Sequence, residues 1–577
     1  MKKNKYLTEI AFPLVLFLSF ALGITFGIKY SYYFFIIPFL ILVAFLIYNK
    51  IQKEKIISSK RKELEELWGQ RHFDDISYKD LKRVYLYFKE FQKNRFYIDD
   101  ITWNDLDMDI IFKKACHCVT LPGLQYLYYL LRTPLFNKSK LKTRDEKINY
   151  FLENRNISQK IQYHLSLLEA KEDISLDIIW GDQKRGNNVI FILYIFLSVI
   201  IIPEIIFTIF FPQIGVFILG FSLFINAVTY SVNKFKILDK IREFSYFSKM
   251  IVCARELSNI KEDDKFINQS VVRLLYNKLK SLNRKINNLE VNRDSTAIRT
   301  DLELLFGLVD MIFLREPIIY YSTLNVIDKY KEDLKKLYLF LGELDAAIAV
   351  VSYKSSLKYF SLPELTQNGN FIYTEKIYHP LLDNFVANDF SLKEKGALIT
   401  GSNASGKSTF LKTIGVNVIF AQSLSFTFSK KFKSSFFRVF TSIGTLDSLI
   451  SGDSYFMVEA KNLKRVIDSL DNKFSIMCIL DEIFRGTNTT ERIEAAENVL
   501  RFLSHRNCFT IVATHDLELT KLVDNKYKNY HFQEEIVSKD IKFDYIIKEG
   551  PSKTKNALKI LKILGYPKEV YSEINKT

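Results

Sequence analysis

Residues 401–409 read GSNASGKST, which has the glycine, four-residue spacer, glycine, lysine and hydroxyl of a phosphate-binding loop. The apolar run 397–400 suits a buried strand, and apolar spacing over 409–419 predicts a helix, so a chance glycine-rich turn is a poor alternative. Glycines let backbone N–H groups surround phosphate oxygens, and a helix N-terminus adds partial positive charge. We therefore predict a nucleoside triphosphate site with Lys407 on the β- and γ-phosphates and Ser408 on Mg²⁺. The other predicted nucleotide contacts of this loop are Gly401, Asn403, Ser405, Gly406 and Thr409.

Two further apolar runs end next to polar side chains. The run 474–480 reads FSIMCIL and leads into Asp481 and Glu482, while the run 509–512 leads towards His515. Such runs suit strands buried on both faces of a parallel sheet, whose carboxyl ends meet where open α/β sheets bind ligands. We expect Asp481 to hold Mg²⁺, Glu482 to polarise the attacking water, and His515 to sense the γ-phosphate or position that water. The alternative for the acidic pair is a strand cap without chemistry.

The segment 441–460 reads TSIGTLDSLISGDSYFMVEA and places Ser451 ahead of an amphipathic stretch at 455–470. A serine at the start of a helix presents its hydroxyl and nearby backbone N–H groups to an anion. One triphosphate on one subunit does not need two such sites. Two subunits arranged head to tail would use both, so Ser451 predicts a homodimer with composite nucleotide sites.

The order GSNASGKST, SIGTLDSLISGDSYFMVEA, ILDEIFRGTNT and ATHDLEL resembles the ATPase domain of the MutS family. The resemblance implies ATP and Mg²⁺ as cofactors, a loop asparagine at Asn403, and an adenine-stacking ring at Phe385 in the segment FVAND. The catalytic residues that it implies are Lys407, Ser451, Glu482 and His515.

Some positions depart from the family's pattern. Asp453 stands where the family has arginine, Phe484 where it has glycine, and Glu491-Arg492 where it has Asp-Gly. These changes would alter interface charge and nucleotide exchange, but they leave the phosphate and Mg²⁺ residues in place. We therefore expect an active ATPase.

The resemblance extends more loosely over 90–350. The segments Ile98–Leu106 and Thr120–Gly123 follow the spacing of the family's helical core, and Leu344-Asp345 resemble the end of its lever helices. Mismatch-recognising members use a Phe-x-Glu motif in an N-terminal globular domain. Here those letters occur at Phe88-Lys89-Glu90 in a charged helical pattern, without a compact domain around them, and chance is the better interpretation. The sequence thus predicts a MutS-related protein without the mismatch-recognition domain.

Four apolar stretches predict membrane spans, at 10–28, 31–48, 188–210 and 213–230. Each is close to the roughly 20 residues that cross a bilayer. Lysines and arginines flank the outer ends of both pairs, so the positive-inside rule predicts two hairpins that open to the cytosol. We expect a multi-pass protein of the cell (inner or cytoplasmic) membrane, in contact with the lipid bilayer, with cytoplasmic globular domains. The alternatives are a cleaved signal peptide for the first stretch and a buried core hairpin for the second pair.

The formal net charge of +16 arises from 81 lysines and arginines against 65 aspartates and glutamates. A basic chain can contact nucleic acid or anionic lipid, but part of the excess lies beside the predicted spans. Charge therefore leaves DNA binding open. The five cysteines show neither a disulfide framework nor a metal pattern. Glu204 interrupts the third span, and no role is assigned to it.

The predicted fold is an α/β P-loop NTPase domain of the ABC and MutS type plus an all-α MutS-like core, with two transmembrane helical hairpins. The predicted domains are transmembrane hairpin 1 at 1–50, a charged linker helix at 51–75, the first part of the helical core at 76–186, transmembrane hairpin 2 at 187–231, further core with lever helices at 232–360, and a MutS-type ATPase domain at 361–577. Within the core, amphipathic spacing predicts helices at 235–257 and 271–289.

The leading functional hypothesis is a membrane-anchored ATPase dimer that hydrolyses ATP at composite sites to drive a conformational change. The alternative is a DNA-binding repair or recombination factor tethered to the membrane. A transporter-type ATPase ranks below both, because SGDSYFMVE stands in place of that family's LSGGQ signature and two short hairpins make a poor pore.

Overall fold

A computed structural model describes residues 28–29, 36–70, 78–93, 95–168, 177–181, 188–260, 266–290, 308–367, 369–393, 396–402, 405–444, 455–471, 473–485, 488–537, 540–552 and 567. The helices are α1 (Ile36–Glu66), α2 (Tyr78–Phe91), α3 (Asp100–Asp105), α4 (Met108–Ala115), α5 (Leu121–Arg132), α6 (Lys138–Glu153), α7 (Arg155–Ser166), α8 (Asp177–Trp180), α9 (Asn188–Val199), α10 (Ile201–Phe210), α11 (Pro212–Ser258), α12 (Gln269–Glu290), α13 (Arg315–Ser356), α14 (Lys407–Leu424), α15 (Tyr455–Asp468), α16 (Thr489–Ser504) and α17 (Leu519–Leu522). The strands are β1 (Glu364–Thr366), β2 (Phe371–Ile377), β3 (Asn388–Lys393), β4 (Gly396–Thr400), β5 (Lys431–Ser435), β6 (Phe437–Ser442), β7 (Ser475–Asp481), β8 (Cys508–Ala513), β9 (Tyr527–Val537) and β10 (Asp540–Glu549).

The chain divides into two compact units. The first contains Met1–Trp68 and Arg155–Leu341, and the second contains Gly69–Asn154 and Gly342–Thr577. The described part of the first unit is helical, and its longest helix, α11, has 47 residues and packs against α12. The buried face of α12 recurs every three or four residues, as in an amphipathic helix, and consists of Val272, Leu275, Leu279, Leu282 and Ile286.

The third and fourth apolar stretches form helices in the first unit. Asn188–Phe210 and Pro212–Lys234 have 23 residues each and mean hydropathies of 2.8 and 1.8, so both are long and apolar enough to cross a membrane. Only 11% of the most apolar part of each segment is buried, which does not favour a buried core hairpin. The break between α9 and α10 follows from Pro203, because a proline ring clashes with the carbonyl four residues earlier, here that of Val199. Inside the hairpin, Ser222 Oγ donates to Glu204 Oε1 at 2.7 Å.

The first pair of apolar stretches lies largely outside the described residues. The predicted span 10–28 is undescribed except for its last residue, and 31–48 is described from Ile36 onwards. There α1 continues without a break from the apolar stretch into the charged segment and ends at Glu66. The predicted linker helix is therefore part of a longer helix and ends nine residues earlier than expected.

The second unit contains a six-stranded sheet in the order β10-β9-β4-β8-β7-β6. Neighbours from β9 to β6 pair in parallel, and β10 pairs antiparallel with β9. All residues of β7 are buried, as its continuous apolar run predicts. On one face Cys478 and Leu480 pack with residues of α15 and α16, whereas Ile479 on the other face approaches Gly415 of α14. The sheet is thus covered on both faces around its central strands.

A second, four-stranded sheet has the order β1-β5-β2-β3 and takes three strands from before β4 and one, β5, from after α14. It is mixed, because β1 pairs with β5 in parallel while β2 pairs antiparallel with both β5 and β3. Phe390 of β3 lies against Phe410 of α14, with ring centroids 5.3 Å apart. The smaller sheet therefore supports the first turn of the helix that follows the phosphate-binding loop.

The helical part of the second unit is held at the N-terminus of α5. Asp345 of α13 is buried and accepts hydrogen bonds from Thr120 N and Oγ1, at 2.8 Å and 2.6 Å, and from Val119 N at 3.1 Å. A Cβ on Gly123 would lie 2.1 Å from Asp345 Oδ2, so only glycine lets the two helices approach this closely. Two segments that resembled the family's core, Thr120–Gly123 and Leu344-Asp345, meet here.

Candidate nucleotide-binding site

The described part of the phosphate-binding loop connects β4 to α14. Gly401 and Gly406 have φ values of +144° and +102°, in the region that favours glycine. A Cβ on Gly401 would also lie 2.9 Å from the carbonyl oxygen of Phe532 on β9. Ser405 Oγ donates to the carbonyl oxygen of Ser402 at 2.7 Å and closes the loop. Backbone geometry therefore requires both glycines of the motif.

Lys407 is buried at the start of α14 and points back into the loop. Its Nζ donates to the carbonyl oxygens of Gly401 and Ser402 at 2.7 Å and 2.8 Å, and lies 3.3 Å from His515 Nε2. Burial lowers the pKa of Lys407 to about 8, an effect that the carboxylates of Asp481 and Glu482 partly oppose. At neutral pH the loop thus encloses an ammonium group, the charge that a phosphate chain requires.

The parallel sheet brings Asp481 to the same edge as this loop. Strand β8 lies between β4 and β7, and Ala513 pairs with both Ile399 and Asp481. At this edge of the sheet, Ser408 Oγ donates a hydrogen bond to Asp481 Oδ2. Burial raises the pKa of Asp481, and the hydrogen bond from Ser408 opposes this rise.

The contact between Ser408 and Asp481 fits a Mg²⁺ ion. A hydroxyl and a carboxylate are hard oxygen donors, and Mg²⁺ is usually held by one or two protein carboxylates with phosphates and waters completing its shell. In the parts of the chain that the structure describes, His, Cys, Asp and Glu form no group of three or more that could hold a metal. The donor set therefore suits a metal that is bound together with a phosphate chain.

Glu482 follows β7 and has a contact on each carboxylate oxygen. His515 Nε2 lies 2.9 Å from Oε1, and Arg485 forms an ion pair with Oε2. Burial alone would raise the pKa of Glu482, but His515 and Arg485 outweigh it and lower the pKa to about 2. The backbone of Glu482 has φ +58°, a left-handed conformation that a non-glycine residue adopts at some cost in free energy. The site thus holds an ionised carboxylate in a strained turn beside Lys407.

Sequence reasoning missed two contacts of the loop and the ion pair between Arg485 and Glu482. Ser402 Oγ donates to Glu534 Oε2 at 2.6 Å, and a Cβ on Gly406 would lie 3.1 Å from Tyr545 Cδ1. Glu534 and Tyr545 lie on β9 and β10, and the Ser402–Glu534 pair is separated by 132 residues. No local pattern marks such partners. Arg485, by contrast, lies within the quoted segment ILDEIFRGTNT, three residues after Glu482, and could have been singled out there.

Not every predicted site residue is brought to the loop. The ring of Phe385 stacks on Tyr378, with centroids 4.0 Å apart and planes at 13°, and no described contact joins it to residues 401–409. Instead Asn388 Nδ2 donates to the carbonyl oxygen of Tyr545 at 3.0 Å. Thr409 is exposed on the first turn of α14. Asn403 and Ser451 lie outside the described residues, so their predicted contacts stay predictions.

The family model for MutS domain V matches residues 397–577, the range that contains the loop, both acidic residues and His515. The chain is 31% identical over 299 residues to DNA mismatch repair protein MutS of Aquifex pyrophilus, covering 49% of this chain and 34% of that protein. DNA mismatch repair protein MutS of a Thermus thermophilus strain is 29% identical over 272 residues, 46% of this chain and 33% of that protein. The chain carries a MutS domain V. It spans about a third of the length of these curated relatives.

Within the MutS domain V, two departures from the family's pattern have structural partners. Phe484 has φ +61°, which explains why the family favours glycine there, and its buried ring lies 5.3 Å from that of Phe456 on α15. Packing of the ring thus offsets part of the conformational cost. Arg492 of α16 donates to both carboxylate oxygens of Asp516, at 3.0 Å and 2.6 Å, and so fixes the loop that carries His515. The third departure, Asp453, lies outside the described residues.

Proposed function

We propose that this chain is a membrane-anchored MutS-like ATPase that hydrolyses ATP with Mg²⁺ and uses the energy to change conformation. The observation that supports the proposal best is the meeting of Lys407, Ser408, Asp481, Glu482 and His515 at one edge of the parallel sheet. Phosphoryl transfer asks the protein mainly for positioning and for neutralisation of charge. These side chains offer both.

Each of these residues has a separate role in the proposed reaction. Lys407 binds the β- and γ-phosphates, while Ser408 and Asp481 hold Mg²⁺, which neutralises charge on the phosphate chain. Glu482 orients and polarises the attacking water, and His515, in contact with both Lys407 and Glu482, places that water relative to the γ-phosphate. The backbone N–H groups at the start of α14 complete the anion site.

The proposed active form is a homodimer with two composite sites. Each site consists of the Lys407 loop of one subunit and the Ser451 segment of the other. In each subunit, α15 begins four residues after Ser451, so a nucleotide that binds both segments also fixes the N-terminus of this helix. ATP binding thereby closes the dimer, and hydrolysis reopens it.

Membrane anchoring completes the proposal. The two apolar segments Asn188–Phe210 and Pro212–Lys234 are long and apolar enough to cross a membrane, and α1 continues from an apolar into a charged segment. We place the protein in the cell membrane, in contact with lipid and with its catalytic unit in the cytoplasm. Helix α13 contributes its first part to one compact unit and its last part to the other, which makes it the candidate for transmitting the conformational change.

The catalytic proposal is tested on the full chain purified in detergent. We expect Lys407→Ala to abolish ATP binding, and Glu482→Gln to retain binding while kcat falls about 100-fold or more, as for other removed catalytic groups. Ser451→Ala should lower kcat and leave binding to one subunit intact, whereas Ser469→Ala, one residue after α15, serves as the control for loss of a hydroxyl. Full turnover in Glu482→Gln would refute the assigned chemistry. Full turnover in Ser451→Ala would refute the composite site.

The second candidate is DNA binding at the membrane, because both relatives described above are named DNA mismatch repair proteins. It makes the chain a tethered repair or recombination factor without mismatch recognition. Gel-shift titrations with duplex and branched DNA at several salt concentrations separate the candidates, since phosphate contacts make such binding strongest at low salt. Absence of binding at low salt would remove this candidate and leave the ATPase proposal unchanged.

A further inference from the structure

A cavity of about 360 Å³ lies in the helical part of the second unit, away from the phosphate-binding loop. Side chains of α2, α5, α6 and α13 line it, and Leu424 at the end of α14 closes one side. Its volume is at the lower end of the range for pockets that bind small organic molecules. No step of the proposed ATPase reaction uses it.

The charged groups of this cavity are mostly cations. Its lining includes Arg95, Lys140, Arg144 and Lys147 against one carboxylate, Glu343, which leaves three positive charges in excess (4 − 1 = 3). Lys147 pairs with Glu343 at 2.7 Å, so the lone carboxylate is already neutralised. Arg144 is partly fixed, because it donates to the carbonyl oxygen of Ser423 near the C-terminus of α14. The remaining guanidinium and ammonium groups suit phosphate oxygens.

Aromatic rings form another wall. Phe88 stacks on Tyr129 with centroids 4.3 Å apart, and Tyr126 meets Tyr129 edge-on at 5.7 Å. Arg95 Nη1 donates to the hydroxyl of Tyr129 at 2.8 Å, which joins the cationic wall to the aromatic one. Gln92 also lines the cavity, and its Oε1 is buried without a hydrogen-bond partner among the described residues. A buried amide oxygen favours a ligand that carries an N–H donor.

We propose that this cavity binds a nucleoside phosphate with one or two phosphoryl groups. The cations match its phosphate, the rings match a planar base, and Gln92 matches a base amine or ring N–H. A nucleoside monophosphate fits the volume, and its charge of about −1.5 to −2 offsets at least half of the positive excess. An apolar ligand would make no use of the cations in the lining, and an inorganic anion would make no use of the aromatic wall.

The cavity lies at the opposite end of α14 from the phosphate-binding loop. Helix α14 begins at Lys407 and ends at Leu424, 18 residues and about 27 Å further along its axis. Arg144 and Leu424 therefore connect the cavity to the far end of the helix whose first turn holds the phosphate-binding loop. The two sites are distinct but share one rigid element.

Binding is measured on the full chain in detergent that carries Lys407→Ala, so that the phosphate-binding loop does not contribute. Calorimetric titration uses AMP and UMP, with adenosine, inorganic phosphate and a 5′-phosphorylated oligothymidine as further probes. We expect AMP or UMP to bind at least tenfold more tightly than adenosine or phosphate alone. Arg95→Gln and Lys140→Gln should each weaken binding about tenfold, while Lys142→Gln, an exposed cation of α6 outside the lining, should change it less than twofold.

Each contrary result has a definite meaning. Absence of mononucleotide binding up to millimolar concentration would overturn the proposal, and so would equal losses from Lys140→Gln and Lys142→Gln. Tighter binding of the oligothymidine, lost in the same two lining variants, would replace the proposed ligand by a nucleic-acid end. Arg144→Gln is a poor primary test because Arg144 also holds Ser423, but Arg95 and Lys140 are exposed and their substitution leaves that contact intact.

Discussion

The buried carboxylate of Asp345 offers the sharpest test of the packing in the second unit. It accepts hydrogen bonds from Val119 N, Thr120 N and Thr120 Oγ1 at the N-terminus of α5. Asp345→Ala leaves these three donors buried without an acceptor, at about 1–3 kcal/mol each before relaxation. We expect the variant to lose at least about 3 kcal/mol of local stability. Asp345→Asn keeps one acceptor oxygen, and we expect it to lose about 1–2 kcal/mol.

The same side chain predicts a pH dependence. Burial raises the pKa of Asp345 to about 6, and the hydrogen bonds from Thr120 and Val119 reduce the rise. Because the folded-state pKa exceeds the ordinary value near 3.8, the folded protein binds this proton more tightly than the unfolded chain. The resulting contribution is complete below about pH 3.8 and is lost as pH rises through about 6. It amounts to about 3 kcal/mol in full and about 1 kcal/mol between pH 5 and pH 8.

The assay is thiol labelling of Cys116 and Cys118, which are buried shortly before Val119. Labelling rates in urea, resolved by peptide mass spectrometry, report the local opening equilibrium, and 3 kcal/mol corresponds to about a 100-fold faster reaction. Cys253 in the first unit is an internal reference, and Asp328→Asn replaces an exposed carboxylate of α13 as a control. A change below fivefold in Asp345→Ala would refute the capping role. We expect the stability difference between wild type and Asp345→Asn to shrink from pH 5 to pH 8. A difference that grows over this range would refute the predicted direction of the pH dependence.

Two further substitutions test the loop and its helix. Glu534→Gln removes a carboxylate that accepts from Ser402 and repels the phosphates of ATP, so we expect ATP to bind about fivefold more tightly, a gain of about 1 kcal/mol. Equilibrium binding measures this, with Glu549→Gln as the control. Unchanged affinity in Glu534→Gln would contradict the prediction. Gly415→Ala places a Cβ 2.9 Å from Leu106 Cδ2, and overpacking of about 1–3 kcal/mol should outweigh about 1 kcal/mol of helix propensity. Urea unfolding should show net destabilisation, and a more stable variant would contradict it.

The sequence predicted those elements whose signal is local. The strand predicted at 474–480 is observed at Ser475–Asp481, and the helix predicted at 271–289 is observed at Gln269–Glu290. Both have an unbroken apolar run or a regular amphipathic repeat. The four-stranded sheet was not predicted, because β1 has three residues and β3 alternates polar and apolar positions as an exposed loop also can. Strand order depends on hydrogen bonds between distant segments, which no local pattern contains.

For the site, too, local motifs could be predicted from the sequence, whereas contacts between distant segments could not. The phosphate-binding motif and the acidic strand end identified the residues that the structure brings together around Lys407. The resemblance of the segment FVAND to the family's pattern suggested Phe385 as a ring near the nucleotide, but the contact to Tyr545 beside the loop comes from Asn388. Glu534 and Tyr545 became visible only in three dimensions. Sequence motifs thus indicate the chemistry of this site, and its charge balance requires the fold.

The position of Arg485 affects the proposed chemistry most directly. A carboxylate polarises water through a free lone pair and sufficient basicity, yet His515 and Arg485 occupy both oxygens of Glu482 and lower its pKa to about 2. The turn that carries Arg485 is fixed to α15, because the Glu459 carboxylate accepts from the backbone N–H groups of Phe484 and Arg485.

Phe456 at the start of α15 also packs on Phe484 within that turn. A displacement of the N-terminus of α15 would therefore act on the turn that carries Arg485. Since Ser451 lies four residues before this helix, a nucleotide contacted by Ser451 would act on the basicity of Glu482 in the same subunit. Composite sites would then couple the two active centres of the proposed dimer through α15, without any contact between their phosphate-binding loops.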